Sequence, residues 1–147
     1  MRRRDSRGFT LLEVLVTVSI ALIVLAIGIP NFVRLRAPYA LSGATRQIAA
    51  DLDAARQRAI ARNTRYRVTF NALTQSYTIE RENAGAFVPD SAPQPLPRGA
   101  QLGTVTPGNP IFDTRGMLAA AVSVPVTVTG SGTRTVAINV LGKTTIN

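Results

Sequence analysis

Between Phe9 and Ile29 the chain runs for 21 residues with Glu13 as its only charge. As a helix rising ~1.5 Å per residue this segment is about 31 Å long, the thickness of a bilayer's hydrocarbon core. A carboxylate inside such a span costs on the order of 3 kcal/mol at mid-helix, so it marks a function and requires a partner. Before it stands a short basic leader, Met1 to Gly8, with Arg2, Arg3, Arg4 and Arg7 against Asp5. Two ordinary readings compete. A secretory signal has a shorter apolar region of about 7–15 residues before a small-residue cleavage site. A plain membrane anchor fits the length better, with the leader arginines holding the N-terminus in the cytoplasm. Neither explains why Gly8, Phe9 and Glu13 occur together.

Beyond the span, the 147-residue chain holds one modest domain. There is no Cys and no His, which removes disulfides, thiolate metal sites and the commonest general base. The net charge of +9 divides into +3 from the leader and +6 from the remainder, and all basic residues except Lys143 are Arg. Arg offers planar, bidentate contacts to carboxylate or phosphate.

The apolar helix is expected to continue past Pro30, where a missing backbone donor introduces a kink. From Tyr39 to Asn63 the positions Leu41, Ile48, Leu52, Ala55 and Ala59 recur at three- and four-residue spacing, predicting an amphipathic helix with Asn63 as its stop. The period then changes to two. Tyr66, Val68 and Phe70 predict a half-buried strand, and Asn71–Ser76 a turn into a second strand holding Tyr77 and Ile79. Residues 83–110 contain six of the nine prolines and read as a mostly irregular loop, with one short strand within 100–105. Ile111–Phe112 is expected as a strand, followed by a turn at Gly116. Val122, Val124, Val126 and Val128 alternate, but Pro125 argues for an edge or bulged strand. Thr133–Leu141 alternates through Val136, Ile138 and Val140, and Gly142-Lys143 turns the chain into a last short pairing at Thr144–Ile146. The fold class is α+β: a long N-terminal helix covering antiparallel strands.

No catalytic constellation emerges. Asp51, Asp53, Glu80, Glu82, Asp90 and Asp113 form no acid/base motif, and Asp51 and Asp53 point to different helix faces. The oxygen-ligand calcium loop is missing. The expectation is a protein that is not an enzyme and uses no cofactor and no metal.

Gly8-Phe9-Thr10-Leu11-Leu12-Glu13, behind a basic leader and ahead of an apolar run ending at Pro30, resembles the leader junction of type IV pilins and type II secretion pseudopilins. The resemblance implies cleavage after Gly8 by a prepilin peptidase, N-methylation of Phe9, and a role for Glu13 in setting subunit register. The implied organisation is leader 1–8, transmembrane and filament-core helix 9–30, amphipathic helix 31–63 and a β-rich globular domain 64–147. Asp53-Ala-Ala-Arg56-Gln-Arg-Ala59-Ile60, Arg67-Val-Thr-Phe70, Leu96-Pro-Arg-Gly99, Phe112 with Gly116, and Gly142-Lys-Thr-Thr-Ile146 resemble the minor pseudopilin GspH and its pilus relative FimT. A GspH-like subunit would sit in the inner membrane with its globular domain in the periplasm, join other pseudopilins at a filament tip and support export of protein cargo. The alternative is a FimT-like minor pilin of a type IV pilus that contributes to DNA binding and uptake. There Lys143 and Arg134 are the candidate DNA contacts, although Gly142-Lys143-Thr144-Thr145 holds one cation where the related motif holds two. The cleavage expectation has a direct check: mass spectrometry of protein from a host with active prepilin peptidase should find a methylated N-terminus at Phe9, and an intact Arg2–Gly8 would contradict it.

Overall fold

The computed structural model describes residues 10–147, apart from the side chains of residues 29–35. Gly8 and Phe9 therefore lie outside the described residues, as does the side chain of Pro30. One helix, α1, spans Leu11–Ala61. The chain divides into two units, Met1–Arg36 and Ala37–Asn147, and the second contains the whole β-structure.

Within the second unit the expected helical face is the buried one. Leu41, Ile48, Leu52, Ala55 and Ala59 are all buried, joined by Ala44 and Thr45. Thr45 is a polar residue with no exposed surface, and its hydroxyl donates to the Leu41 carbonyl at 2.9 Å, so the burial leaves no orphan donor. The helix stops at Asn63, which adopts a left-handed φ of 49°. Its N–H donates to the Ile60 carbonyl, and the Thr64 N–H reaches back to the Ala59 carbonyl at 3.2 Å. This paired closure is the Schellman cap, and Asn is one of the few residues other than Gly that accepts its geometry.

The strands build two antiparallel sheets. The first contains β1 (Tyr66–Asn71), β2 (Ser76–Asn83), β3 (Ala86–Pro89), β4 (Gln94–Pro95) and β6 (Ile111–Phe112). Its order is β3-β2-β1-β6, with β4 also pairing β2. The second contains β5 (Ala100–Leu102), β7 (Val122–Val128), β8 (Gly132–Ile138) and β9 (Thr144–Ile146), in the order β5-β7-β8-β9. Inward residues of both sheets, among them Tyr66, Val68, Tyr77, Ile79, Val124, Val126 and Val136, share one buried cluster with the helix face.

Three expectations need refinement. Residues 83–110 are mostly irregular as expected, but they hold three short strands, β3, β4 and β5, rather than one within 100–105. The β2–β3 hairpin turns through Ala84 and Gly85, both at positive φ (50° and 85°), the pattern of a type I′ turn. Ala-Gly is a weaker sequence signal for that turn than Asn-Gly, which is why it was missed.

Second, of the edge or bulged strand expected at Pro125 the structure takes the bulge: β7 is not an edge, because it pairs with both β5 and β8. The Pro125 carbonyl accepts the Gly103 N–H at 2.9 Å, so this residue's backbone faces β5 rather than β8. On that side the register slips by one between Leu102↔Val126 and Thr106↔Ser123, a bulge that removes any need for a proline N–H. A Cβ on Gly103 would lie 2.8 Å from the Pro125 ring, so the close approach requires glycine. Third, β8 ends at Ile138, and Val140 lies outside the strand, 47% exposed.

Two turns lock the end of the domain. The Gly116 turn is held by Asp113, whose carboxylate accepts the Arg115 and Met117 N–H groups, each at 2.8 Å. Arg56 of α1 donates from Nε to the Gly116 carbonyl at 3.1 Å. Gly142, at φ +76°, packs directly over that carbonyl and over the Arg56 side chain. Gly142→Ala combines left-handed strain with a steric collision and should lose about 2–5 kcal/mol in urea melts of the full-length protein. Gly130→Ala, at φ +84° with open space around it, should lose only about 1–2 kcal/mol. A second expectation concerns acid. The Met117 and Arg115 N–H groups stabilise the Asp113 carboxylate and lower its pKa below the ordinary 3.8. The resulting stability is present above pH 3.8 and is lost as the pH falls through the lower folded value. Acid-unfolding curves of Asp113→Asn should therefore lack that component below about pH 4.

Candidate assembly helix and charged surface

In the first unit, residues Leu11–Gly28 form a stretch of mean hydropathy 2.6 with none of it buried, long and apolar enough to cross a membrane. Leu11, Leu15, Leu22, Ile23 and Ile27 are each more than half exposed. Such a surface has to be covered by lipid or by other helices.

Its polar groups are handled locally, with one exception. Thr10 caps the helix, accepting the Glu13 N–H on Oγ1 and the Val14 N–H on its carbonyl, both at 3.2 Å. Thr17 donates to the Glu13 carbonyl at 2.5 Å and Ser19 to the Leu15 carbonyl at 2.8 Å, so both hydroxyls are satisfied inside the helix. The Glu13 carboxylate has no partner among the described residues. It occupies the first turn, at the positive end of the helix dipole. Thr10 was overlooked as a functional position, although Thr10-Leu-Leu-Glu13 carries the Thr-x-x-Glu capping pattern openly.

The globular unit offers no comparable free acid. The Tyr77 hydroxyl donates to Asp51 at 2.5 Å and receives a hydrogen bond from Gln47 at 3.0 Å. Burial, with the Asp51 carboxylate beside it, raises the Tyr77 pKa and keeps the phenol neutral. Asp53 accepts from Thr144 at 2.9 Å, which confirms that Asp51 and Asp53 face different elements. Glu80 pairs with Arg67 at 2.6 Å and Glu82 with Arg65 at 3.2 Å. Both of these arginines also cover the ring of Phe87, with guanidinium carbons 4.4 Å (Arg67) and 5.7 Å (Arg65) from its centre. Asp90 binds Arg58 and Arg62, and Asp113 binds Arg115. Each of the six carboxylates of this unit is thus engaged. No group of three potential metal-ligating side chains occurs among the described residues.

The two candidate DNA contacts stand apart. Arg134 lies on β8 and donates to Ser42 at 3.2 Å. Lys143 sits in the following turn, its N–H held by Asn139 at 2.8 Å. Its side chain borders an open depression of about 280 Å³ with Asp53, Arg56, Gln57, Ile60 and Thr144. Asn139 is five residues from Arg134, about 17 Å at ~3.3 Å per residue, so the two cations do not form one pair.

Comparison with known proteins now places this architecture. Residues 3–29 match the prokaryotic N-terminal methylation motif, and residues 44–142 match the model of the type II transport protein GspH. No curated protein sequence matches the chain. Among solved structures, the minor pseudopilin EpsH from the type 2 secretion system of Vibrio cholerae superposes with a TM-score of 0.61 at 14% identity, covering 73% of this chain and 95% of that one. The type IV minor pilin FimU of Pseudomonas aeruginosa superposes with a TM-score of 0.59 at 14% identity, covering 73% of this chain and 87% of that one. A second crystal form of FimU gives 0.58 at 15% identity, covering 73% and 92%. At these identities the superpositions speak for the fold alone, an α+β pilin fold. The GspH model covers more than half of the chain, behind an N-terminal methylation motif, and the chain belongs to the GspH family of minor pseudopilins.

Proposed function

We propose that this chain is cut after Gly8 by prepilin peptidase, methylated at Phe9, and then assembled through its apolar helix into a type II secretion pseudopilus. In this reading residues 9–30 are first the inner-membrane anchor and then the filament core. The leader stays in the cytoplasm and residues 64–147 form the periplasmic domain. Neighbouring pseudopilins are its partners, and the filament serves export of protein cargo. Pro30 supplies a kink that fits the helix to its neighbours.

The observation that carries the proposal is the unpartnered Glu13 carboxylate on a fully exposed apolar helix. Cleavage creates an ammonium group on Phe9, four residues before Glu13 in the sequence. Neither charge is fully satisfied in lipid by a single chain. Stacked side by side, Glu13 of one subunit meets the Phe9 amine of the next, and a paired charge costs far less in an apolar bundle than an isolated one. The pair therefore acts as a register mark along helices whose apolar contacts are otherwise non-directional.

Removing one partner of such a buried pair costs about 3–5 kcal/mol. Glu13→Ala should accordingly abolish recovery of the subunit in sheared pseudopili while leaving its membrane insertion intact, and normal incorporation of Glu13→Ala would refute the register role. The alternative, a FimT-like pilin that contributes to DNA binding, is favoured by 11 basic against 6 acidic residues between Ala37 and Asn147. Lys143 and Arg134 would then contribute separate phosphate contacts. A gel shift with duplex DNA at rising salt decides it: retention at low salt that weakens in Lys143→Ala and Arg134→Ala supports this reading, and absence of retention removes it.

A further inference from the structure

One arginine of α1 is held more tightly than its contacts within the chain explain. Arg56 donates from Nε to the Gly116 carbonyl at 3.1 Å. Two glycine turns close on its stem: a Cβ added at Gly116 would lie 2.9 Å from Arg56 Cγ, and one added at Gly142 would lie 2.7 Å from Nε. The side chain is thus fixed from Cγ to Nε, while its two Nη groups have no hydrogen-bond or ion-pair partner among the described residues. Arg56 also lines the open depression of about 280 Å³ that Lys143 borders. The Lys143 ammonium likewise lacks a partner among the described residues, and only its backbone N–H is bonded, to Asn139. The one acid in that lining, Asp53, is bonded to Thr144 at 2.9 Å and forms no ion pair with either cation. Two cations therefore line a cavity whose own carboxylate does not answer them. What separates this pair from scattered surface charge is the shared cavity and the immobilised arginine, whose ordering entropy is lost in folding rather than in binding.

We propose that this depression is a docking site for an Asp or Glu side chain of a neighbouring pseudopilin. A fixed guanidinium fork suits a carboxylate's two oxygens, and Lys143 adds a second charge from its turn. Two cations against Asp53 leave the lining with a net charge of +1, which one carboxylate neutralises. The border is apolar: Ile60, 48% exposed, lines the depression, and Leu141, 63% exposed, precedes Gly142 in the chain. An arginine beside exposed aliphatic side chains is the composition of a protein contact rather than of a phosphate-backbone contact. The identity of the occupant rests on the pseudopilus reading above, whereas the cation pair and its cavity rest on this domain alone.

The first test uses the full-length protein in detergent micelles, melted in sodium glutarate, sodium phosphate and sodium chloride at equal ionic strength. Glutarate should raise the melting temperature above the chloride value, and Lys143→Ala and Arg56→Gln should each remove most of that increment. Should Arg56→Gln fail to fold, Lys143→Ala, in an exposed turn, makes the comparison alone. Equal melting in all three salts, or an increment that survives in the variants as a general salt effect, would overturn the site. A larger increment in phosphate than in glutarate, lost in the same variants, would overturn the carboxylate assignment in favour of a nucleic-acid backbone. The second test places a photo-reactive residue at Gln57, which lines the depression, in cells. Mass spectrometry should identify an adduct with another pseudopilin beside an Asp or Glu, and Lys143→Glu should lower its yield about tenfold. No pseudopilin adduct, or a yield indifferent to Lys143→Glu, would overturn the proposed occupant. The same probe at Leu22 separates the two failures. Pseudopilin adducts at Leu22 without any at Gln57 refute the docking site alone, whereas none at Leu22 refutes the pseudopilus reading without touching the glutarate result.

Discussion

Both sheets of the globular unit close on a single helical surface, the strip of α1 running from Leu41 to Ala59. Its alanines at positions 44, 55 and 59 have no exposed surface. Small residues at these positions let the strands approach the helix backbone, while Ile48 and Leu52 fill the space between the sheets. The side chains that meet them are aromatic and β-branched: Tyr66, Tyr77 and Phe112 from the first sheet, and the valines of β7 and β8 from the second. The helix is therefore the common core element. Losing its face would leave two small sheets of short strands, neither of which buries enough apolar area to persist alone.

Around that core the polar groups divide into two classes. In the globular unit every acidic side chain is answered locally, by ladders such as Arg67–Glu80 across β1 and β2 or by turns such as the Asp113 cradle. These pairs are partly exposed and contribute little stability individually. They hold β1, β2 and β3 in one register, because like charges or a one-residue slip would be penalised at each rung. Glu13 stands out against this order, an acid on the apolar helix with no partner among the described residues. An unanswered acid on such a surface points to a contact made with another molecule. This fits a family of pseudopilus subunits.

Much of this was legible in the residues themselves. The periodic spacing of Leu41, Ile48, Leu52, Ala55 and Ala59 located the buried helix face, and the alternation through Val122–Val128 identified the buried face of β7. Glu13 was legible because one acid in an apolar run is chemically expensive wherever it lies. The β2–β3 hairpin was obscured by an Ala-Gly turn in a segment dense with proline. Pro125 left an edge and a bulge both open, and the choice of the bulge depends on a one-residue slip in the strand beside it, a fact that belongs to the neighbour and not to the proline.

The sequence by itself thus determined the elements whose physics is local: the apolar span, the amphipathic face, the alternating strands and the stop at Asn63. Each depends on residues a few positions apart along one helix or strand. Only the tertiary structure decided which strands share a sheet, where the bulge opposite Pro125 falls, and why Gly142 must be glycine beneath Arg56 and Gly116. Those outcomes depend on groups far apart in the chain meeting at specific distances, and side-chain patterning along the chain carries no record of such meetings.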